Sequence, residues 1–511
     1  MSTRTVPTGD APPNVLWIMS DQHNAKCTPW GRFPMDVHAP NLERLADSGV
    51  RFDRAICQNP ICTPSRTSYL TGQYPSNHGI YGLTGDGGQV DAPTIFSALR
   101  ERGYRTGAFG KLHTPRGLIE NQVDRGWSCY DFGGPLQQDH YQRYLERRGL
   151  ADQRDDDRLL EWDGGGQGLD ARPSALPYER QPEAVAVQEA TSFIDDATER
   201  DDPYVAWVSL PRPHQVYTPS EEYWSLYDGD VELPPTAFED LADKPPHQTN
   251  RQPDEETPHA AFEQGTQAAF LERKLQGYLG CVSMVDAYVG ELLDHLEAAG
   301  IREDTIVIYC ADHGDFAAEH GLPEKAPGIS YDAITRIPFI WSWPGRFRSG
   351  AVVDELVETV DVFPTLLAIL GESATPSADG GDLTGLLTGA DESPIRDYAI
   401  TENAWARTIR TKDQKLTVYP PGFFGDDSEA YLECYDLAAD PWEQENLAVA
   451  DDPPTDVIDR HRRYLESFLL TARRAQSTLS VDRSTTGLTD GTLHPDRIRD
   501  HLAERTGDNY L

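Results

Sequence analysis

The chain has 511 residues, of which 38% are hydrophobic, enough for a large core. Its 42 glycines and 38 prolines suit a turn-rich globular protein and fall short of the share typical of disorder. Acids outnumber bases 84 to 45, a formal charge of −39, which excludes a general nucleic-acid-binding surface and disfavours an anionic membrane surface, because both need clustered Lys and Arg. The basic side is lopsided, with 7 lysines against 38 arginines. This composition reads as adaptation to molar salt, where a Debye length of about 3 Å screens self-repulsion; an ordinary acidic enzyme is the bland alternative.

The N-terminal stretch MSTRTVPTGDAPP has no apolar leader and no twin arginine, so a cytoplasmic location and no membrane partner are expected. Residues 1–12 read as a short disordered arm. Residues 14–20 (NVLWIMS) form a continuous apolar run, the pattern of a strand buried on both faces of a parallel sheet. Helices are predicted over 41–48, closed by Gly49, and over 93–102, closed by Gly103. A short strand over 106–109 leads into Gly110-Lys111-Leu112-His113. Residues 150–180 are acidic and Gly-rich and read as a surface insertion. A helix over 183–199 precedes a strand over 204–210 and a Pro-rich loop through His214. Residues 228–262, rich in Pro, Asp and Glu, read as an exposed loop. A long helix over 265–299 ends at Gly300, a strand over 305–311 stops at Asp312-His313-Gly314, and a further strand (338–343) and helix (360–370, closed by Gly371) follow.

The alternation predicts an α/β fold, one large, mostly parallel, doubly wound sheet flanked by helices. After about residue 390 the texture changes. Short runs at 407–410, 415–419 and 432–435 predict a small antiparallel sheet, with a helix near 454–474 packed on it. The expected organisation is a catalytic unit over 13–390, an α+β subdomain over 391–475, and a polar tail over 476–511 that is a candidate assembly arm for a homo-oligomer. The 7 cysteines form no disulfide framework and no zinc spacing.

Four polar clusters share one position: Asp21-Gln22, Lys111/His113, His214 and Asp312-His313 each follow an apolar strand. Ligands of open α/β sheets bind outside the carboxyl ends of the strands, so these loops are expected to converge on one crevice. Asp21, Gln22, Asp312 and His313 offer carboxylate, amide and imidazole ligands, an oxygen-rich set suited to Ca²⁺, Mg²⁺ or Mn²⁺. Arg66, Lys111, Lys325, His113 and His214 add positive charge. The mixture suits an anionic substrate held between a metal and a cationic clamp.

The segment 62–72 (CTPSRTSYLTG) is the most specific in the chain. It resembles the type I sulfatase signature C-x-P-S-R followed by L-T-G, in the alkaline phosphatase superfamily. The resemblance extends over NVLWIMSDQ, GKLH (the family's G-K-W-H), SLPRPHQVYTP, the stretch through YCADHGDFAAEHGL, and YDLAADPWEQENLA; the last sixty or so residues match nothing recognised. It implies that Cys62 is converted to formylglycine by a formylglycine-generating enzyme, and that Asp21, Gln22, Asp312, His313 and residue 62 hold one divalent cation, Ca²⁺ being the expected ion. It further implies that Lys111 and Lys325 hold the sulfate, that His214 serves the leaving group and His113 the formylglycine, and that Arg66 orients residue 62. Two departures stand out. Many sulfatases begin with Asp-Asp and end with Asp-Asn, whereas this chain has Asp21-Gln22 and Asp312-His313, as in the related phosphonate monoester hydrolases and phosphodiesterases that favour Mn²⁺. The Lys111/His113 pair, which those enzymes usually lack, favours sulfate.

The expected function is hydrolysis of an organic sulfate ester, with a phosphonate or phosphate diester hydrolase as the alternative and a noncatalytic binding protein on the same fold as the reading of another class. The expected partner is a small anionic sulfate ester, a sulfated sugar among the candidates. Loops 84–92, 114–180 and 212–262 and the C-terminal subdomain are expected to set specificity. Trp127, Tyr141, Trp162, Tyr217, Trp224, Trp405 and Phe423 are candidates for stacking on a substrate ring; core or loop anchors are the competing reading of each.

Overall fold

A computed structural model gives the fold. It describes residues 11–83, 90–131, 136–154, 171–229, 231–245, 248, 267–326, 328–372, 377–424 and 428–471. The expectations for residues 1–10, for most of the acidic insertion including Trp162, and for the tail over 476–511 lie outside them.

The main sheet has nine strands: β1 (Asn14–Asp21), β2 (Val50–Ile56), β3 (Arg105–Gly110), β4 (Arg125–Ser128), β5 (Tyr204–Pro213), β6 (Thr305–Ala311), β7 (Arg336–Ile337), β8 (Phe339–Ser342) and β9 (Ala351–Glu358). Their order is β4-β3-β5-β1-β6-β8-β2-β7, with β9 also paired to β2. The run from β4 to β6 is wholly parallel, whereas β8 is antiparallel to both β6 and β2. The sheet is therefore mixed and mostly parallel, as expected.

The apolar runs are buried on both faces because helices cover both faces. Within β1, Val15, Trp17 and Met19 join one core with Tyr69, Leu70, Ile95 and Phe363, while Leu16 and Ile18 join another with Phe193, Met284 and Tyr288. The first core is roofed by the helices Cys62–Thr71, Ile95–Arg100 and Val362–Ile369, the second by Pro182–Thr198 and Gln267–Ala298. The helix Pro40–Asp47 is capped from outside its own sequence: Asp286 of the long helix accepts the Leu42 and Asn41 amides at 2.7 and 3.1 Å. Asp286→Ala leaves those buried donors without an acceptor and is expected to cost about 1–2 kcal/mol, read as a lowered Tm.

Gly103, Gly300 and Gly371 close their helices at positive φ. Gly49 does not. Its constraint is close packing, since a Cβ there would meet the Trp341 carbonyl oxygen at 2.4 Å. The stretch expected to be an exposed loop is also corrected: in its described part Thr236, Ala237, Lys244 and Gln248 are buried. Lys244 donates to the Tyr435 hydroxyl and the Glu443 carbonyl, and Gln248 accepts from Tyr331, so the loop is tied into the core by polar contacts.

The antiparallel sheet consists of β10 (Ala399–Glu402), β11 (Arg407–Arg410), β12 (Gln414–Tyr419) and β13 (Tyr431–Asp436), in sequential order. The helix Thr455–Thr471 packs on it through Ile458 and Phe468. All seven cysteines are free and buried. Among the described residues, no helix is long and apolar enough to cross a membrane.

Candidate functional site

The four clusters come from adjacent strands. β3, β5, β1 and β6 are neighbours in that order, and their carboxyl ends present Lys111/His113, His214, Asp21-Gln22 and Asp312-His313. Cys62 opens the helix Cys62–Thr71 and faces the same point. Gly110 allows the crossing from β3 to Lys111: it has φ 106°, and a Cβ there would lie 1.9 Å from the Ser209 carbonyl oxygen. Gln22 and His113 hold positive φ, at 71° and 41°, a conformation uncommon for non-glycine residues.

Cys62 is the focus. Its Sγ lies 3.3 Å from His313 Nε2, 3.6 Å from Lys325 Nζ, 3.8 Å from Asp21 Oδ1 and 3.9 Å from Lys111 Nζ. Burial pushes the thiol up, but the ammonium groups of Lys111 and Lys325 outweigh it and hold the thiol well below its ordinary range. Position 62 is thus built for an anion.

Arg66 binds the two carboxylates together. Fully buried, it donates to Asp21 through one terminal nitrogen (2.8 Å) and to Asp312 through Nε (2.9 Å), while its other terminal nitrogen bonds Ser209 Oγ at 2.7 Å and the Lys111 carbonyl. Burial pushes both acids up. For Asp21, the charges of Lys111 and Arg66 win and hold it well below the carboxylate range. Asp312 stays raised, because the negative charge on Asp21 adds to its burial.

Asp21, Cys62, Asp312 and His313 each offer one ligand atom, and these atoms lie within 4.8 Å of one another. His313 Nδ1 donates to the Gly314 carbonyl at 2.9 Å, which leaves Nε2 facing the centre with its lone pair. Two carboxylates and an imidazole, with an oxygen in place of the Cys62 sulfur, fit a hard divalent cation. Gln22 sits beside them but its amide is engaged: Nε2 donates to Asp315 (2.5 Å) and Gln215 (3.0 Å), and Oε1 accepts from Lys325 at 2.8 Å.

Lys325 also meets His214, Nζ to Nε2, at 2.7 Å, while His214 Nδ1 donates to the Gln215 carbonyl. Burial, then Lys111 and Lys325, push His214 down to about 4, so the ring is neutral and accepts the ammonium proton. Burial likewise pushes His23 to about 4 and His78 to about 3. These rings are neutral in the fold and ionise near 6.5 once unfolded, so between about pH 6.5 and 4 the unfolded chain binds more protons. Stability is lost as pH falls through that window, by about 3 kcal/mol for a single such group. Tm measured from pH 7.5 down to 5 is expected to fall steadily; a flat profile would contradict the neutral assignment.

Every described site residue named from the sequence is in this crevice. The sequence reading missed Ser209, Gln215 and Asp315, which hold Arg66, Gln22 and His214 in place. The aromatic candidates fare differently. Trp127, Tyr141, Tyr217, Trp224 and Phe423 are buried within hydrophobic clusters and serve as anchors; Trp405 is partly exposed. Tyr217 also donates to Asp315 at 2.8 Å.

The family description "Sulfatase" matches residues 13–372, and "N-sulphoglucosamine sulphohydrolase, C-terminal" matches residues 318–468. The choline-sulfatase of Rhizobium meliloti is 28% identical over 464 residues, covering 87% of this chain and 84% of that protein. Two solved structures share the fold. One, in complex with its substrate D-glucosamine-2-N,6-O-disulfate, superposes with TM-score 0.69 at 20% identity, covering 90% of this chain and 98% of its own. The other, the phosphonate monoester hydrolase of Agrobacterium radiobacter, superposes with TM-score 0.71 at 23% identity, covering 90% and 95%.

Proposed function

The chain belongs to the sulfatase family, hydrolases of sulfate esters, and from that premise we propose that Cys62 is converted to formylglycine and that the crevice around it cleaves a small organic sulfate ester. The observation that carries this is the convergence on Cys62 Sγ of two ammonium groups and the acid–imidazole set Asp21, Asp312 and His313. An aldehyde at residue 62, once hydrated, supplies one hydroxyl as nucleophile and a second whose deprotonation frees the enzyme from sulfate, which neither a serine nor a cysteine can do. A divalent cation held by Asp21, Asp312, His313 and residue 62, beside Gln22, supplies Lewis acidity. Ca²⁺ is the proposed ion, with Mn²⁺ or Mg²⁺ as alternatives.

The chain's own residues do the rest. Lys111 and Lys325 reach residue 62 from separate loops and hold the nonbridging sulfate oxygens as charge rearranges; one such contact is worth about 2.7–4 kcal/mol of barrier. Because His214 is neutral and accepts from Lys325, the proton for the leaving oxygen resides on Lys325 Nζ, and His214 positions that ammonium. His113, hydrogen-bonded to residue 62 and held below its usual pKa mainly by burial, is the base for the second hydroxyl. Arg66 fixes Asp21 and Asp312 and thereby the centre's geometry.

Metal dependence is expected: dialysis against EDTA lowers aryl sulfate turnover at least about tenfold, and adding back one divalent ion restores it. The Gln22/His313 pair favours a second reading, a phosphonate monoester or phosphodiester hydrolase. Aryl sulfate and phosphodiester turnover on one preparation separate the two; a higher kcat/KM on the phosphodiester would overturn the sulfate assignment. A noncatalytic binder is disfavoured because the nucleophile, metal and clamp positions are all occupied by suitable residues. A sulfated sugar is the proposed substrate class, supported by the substrate named for one structural neighbour.

We also propose a salt-adapted, cytoplasmic enzyme. Six of the seven lysines are buried, Lys412 being the exception, so the acidic surface carries almost no lysine. Raising KCl from about 0.1 to about 2 M is expected to raise Tm as self-repulsion is screened; a Tm that falls with salt would contradict this.

A further inference from the structure

A cavity of about 330 Å³ opens where β2 and β7 meet the antiparallel sheet. None of the candidate catalytic residues lines it. Its walls come from the loop after β1, from residues 52–54 and 336–338, and from residues 410–413 and 437–442. Among the lining residues six cations face four carboxylates, in a chain of charge −39. Each of those carboxylates already has a cation: Arg51 takes Asp53, Arg54 takes Asp354 and Asp413, and Arg410 takes Asp332.

Two guanidinium groups are left over. Neither the Arg32 nor the Arg336 guanidinium makes a hydrogen bond or close ion pair with a described residue; Arg336 feels the Asp332 and Asp53 carboxylates only at longer range, and its Nε is buried without an acceptor. A buried N–H in that state calls for an acceptor oxygen. Two partly exposed indoles, Trp30 and Trp442, line the same space. The Lys26 ammonium lies 4.1 Å from the Trp442 ring centroid and pairs with Glu319, which fixes that side of the wall.

We propose that this cavity is a second, noncatalytic site for a sugar ring bearing a sulfate or carboxylate group. The guanidinium forks match a planar or tetrahedral oxyanion, and the indoles, with Arg51 over Trp30 and Lys26 over Trp442, have at most one face each left for a sugar ring. The volume is at the lower end for small-molecule sites and suits a monosaccharide. The choice of a sulfated sugar rests on the sulfatase reading; the anion recognition does not.

The test uses the full chain carrying Cys62→Ala to prevent turnover. It is titrated by calorimetry with glucose 6-sulfate, sodium sulfate and glucose, beside versions that add Arg32→Gln with Arg336→Gln, Arg32→Gln alone, or Trp442→Ala. The double variant is expected to lose one equivalent of glucose 6-sulfate, or to bind it at least tenfold more weakly. The exposed Arg32→Gln change shows a smaller loss without disturbing the fold. Trp442→Ala is expected to weaken glucose 6-sulfate more than sulfate, and glucose should not bind. Equal stoichiometry and affinity across the variants would overturn the site. Sulfate that binds as tightly as the sugar ester and ignores Trp442→Ala would overturn the sugar assignment. In the Cys62 background, the double variant should keep its aryl sulfate kcat, so a chain lacking sulfatase activity would refute the functional reading while leaving the cavity's binding measurable.

Discussion

Cys62→Ser protein is expected to show no repeated turnover of any sulfate ester, with kcat lower by on the order of 10⁴-fold or more. The serine hydroxyl sits at the same focus of Lys111, Lys325 and His313, so it can be sulfated once. It has no second hydroxyl for His113 to deprotonate, so the sulfate ester on the enzyme does not collapse. Intact-mass measurement after incubation with an aryl sulfate should find at most one added sulfo group per chain, and Cys62→Ala none. Sustained turnover by the serine variant would refute the two-hydroxyl mechanism.

Arg66→Ala is the second large effect, and it acts on stability and activity together. The guanidinium is fully buried and is the common partner of two buried carboxylates. Truncating it leaves Asp21 with Lys111 alone and Asp312 without its cation. Removing one partner from a buried ion pair costs about 3–5 kcal/mol, because the remaining charge stays desolvated. Urea unfolding followed by circular dichroism should show that loss. Arg66→Lys keeps the charge but cannot span Asp21, Asp312 and Ser209 at once, so it should recover part of the stability and little of kcat. A stable Arg66→Ala protein with normal kcat would contradict the bridging role.

What was legible in the sequence follows from what each residue does. β1, β5 and β6 are mostly apolar and buried at nearly every position because helices cover both faces, and that pattern is visible in one dimension. β4 is four residues with a single large apolar side chain, and β9 mixes exposed and buried positions, so neither stood out. β10 is four residues, too short for a period of its own to show. The candidate site positions were legible because they sit where strands stop, and because residue 62 lies in a specific segment. Ser209, Gln215 and Asp315 were not, since each acts by holding another side chain, and no spacing encodes a partner nearly 100 or more residues away. The retained lysines gave a compositional hint whose meaning needed burial: Lys111 and Lys325 at the centre, Lys26, Lys244, Lys274 and Lys415 inside the fold.

The central claim, that residue 62 is an aldehyde in the active enzyme, is tested most directly by mass spectrometry of the tryptic peptide 55–66, AICQNPICTPSR, from protein made in a host with the converting enzyme. The account predicts formylglycine at position 62 and an unmodified thiol at Cys57, in a fraction that tracks specific activity across preparations. An active enzyme whose peptide carries only a thiol at position 62 would contradict it.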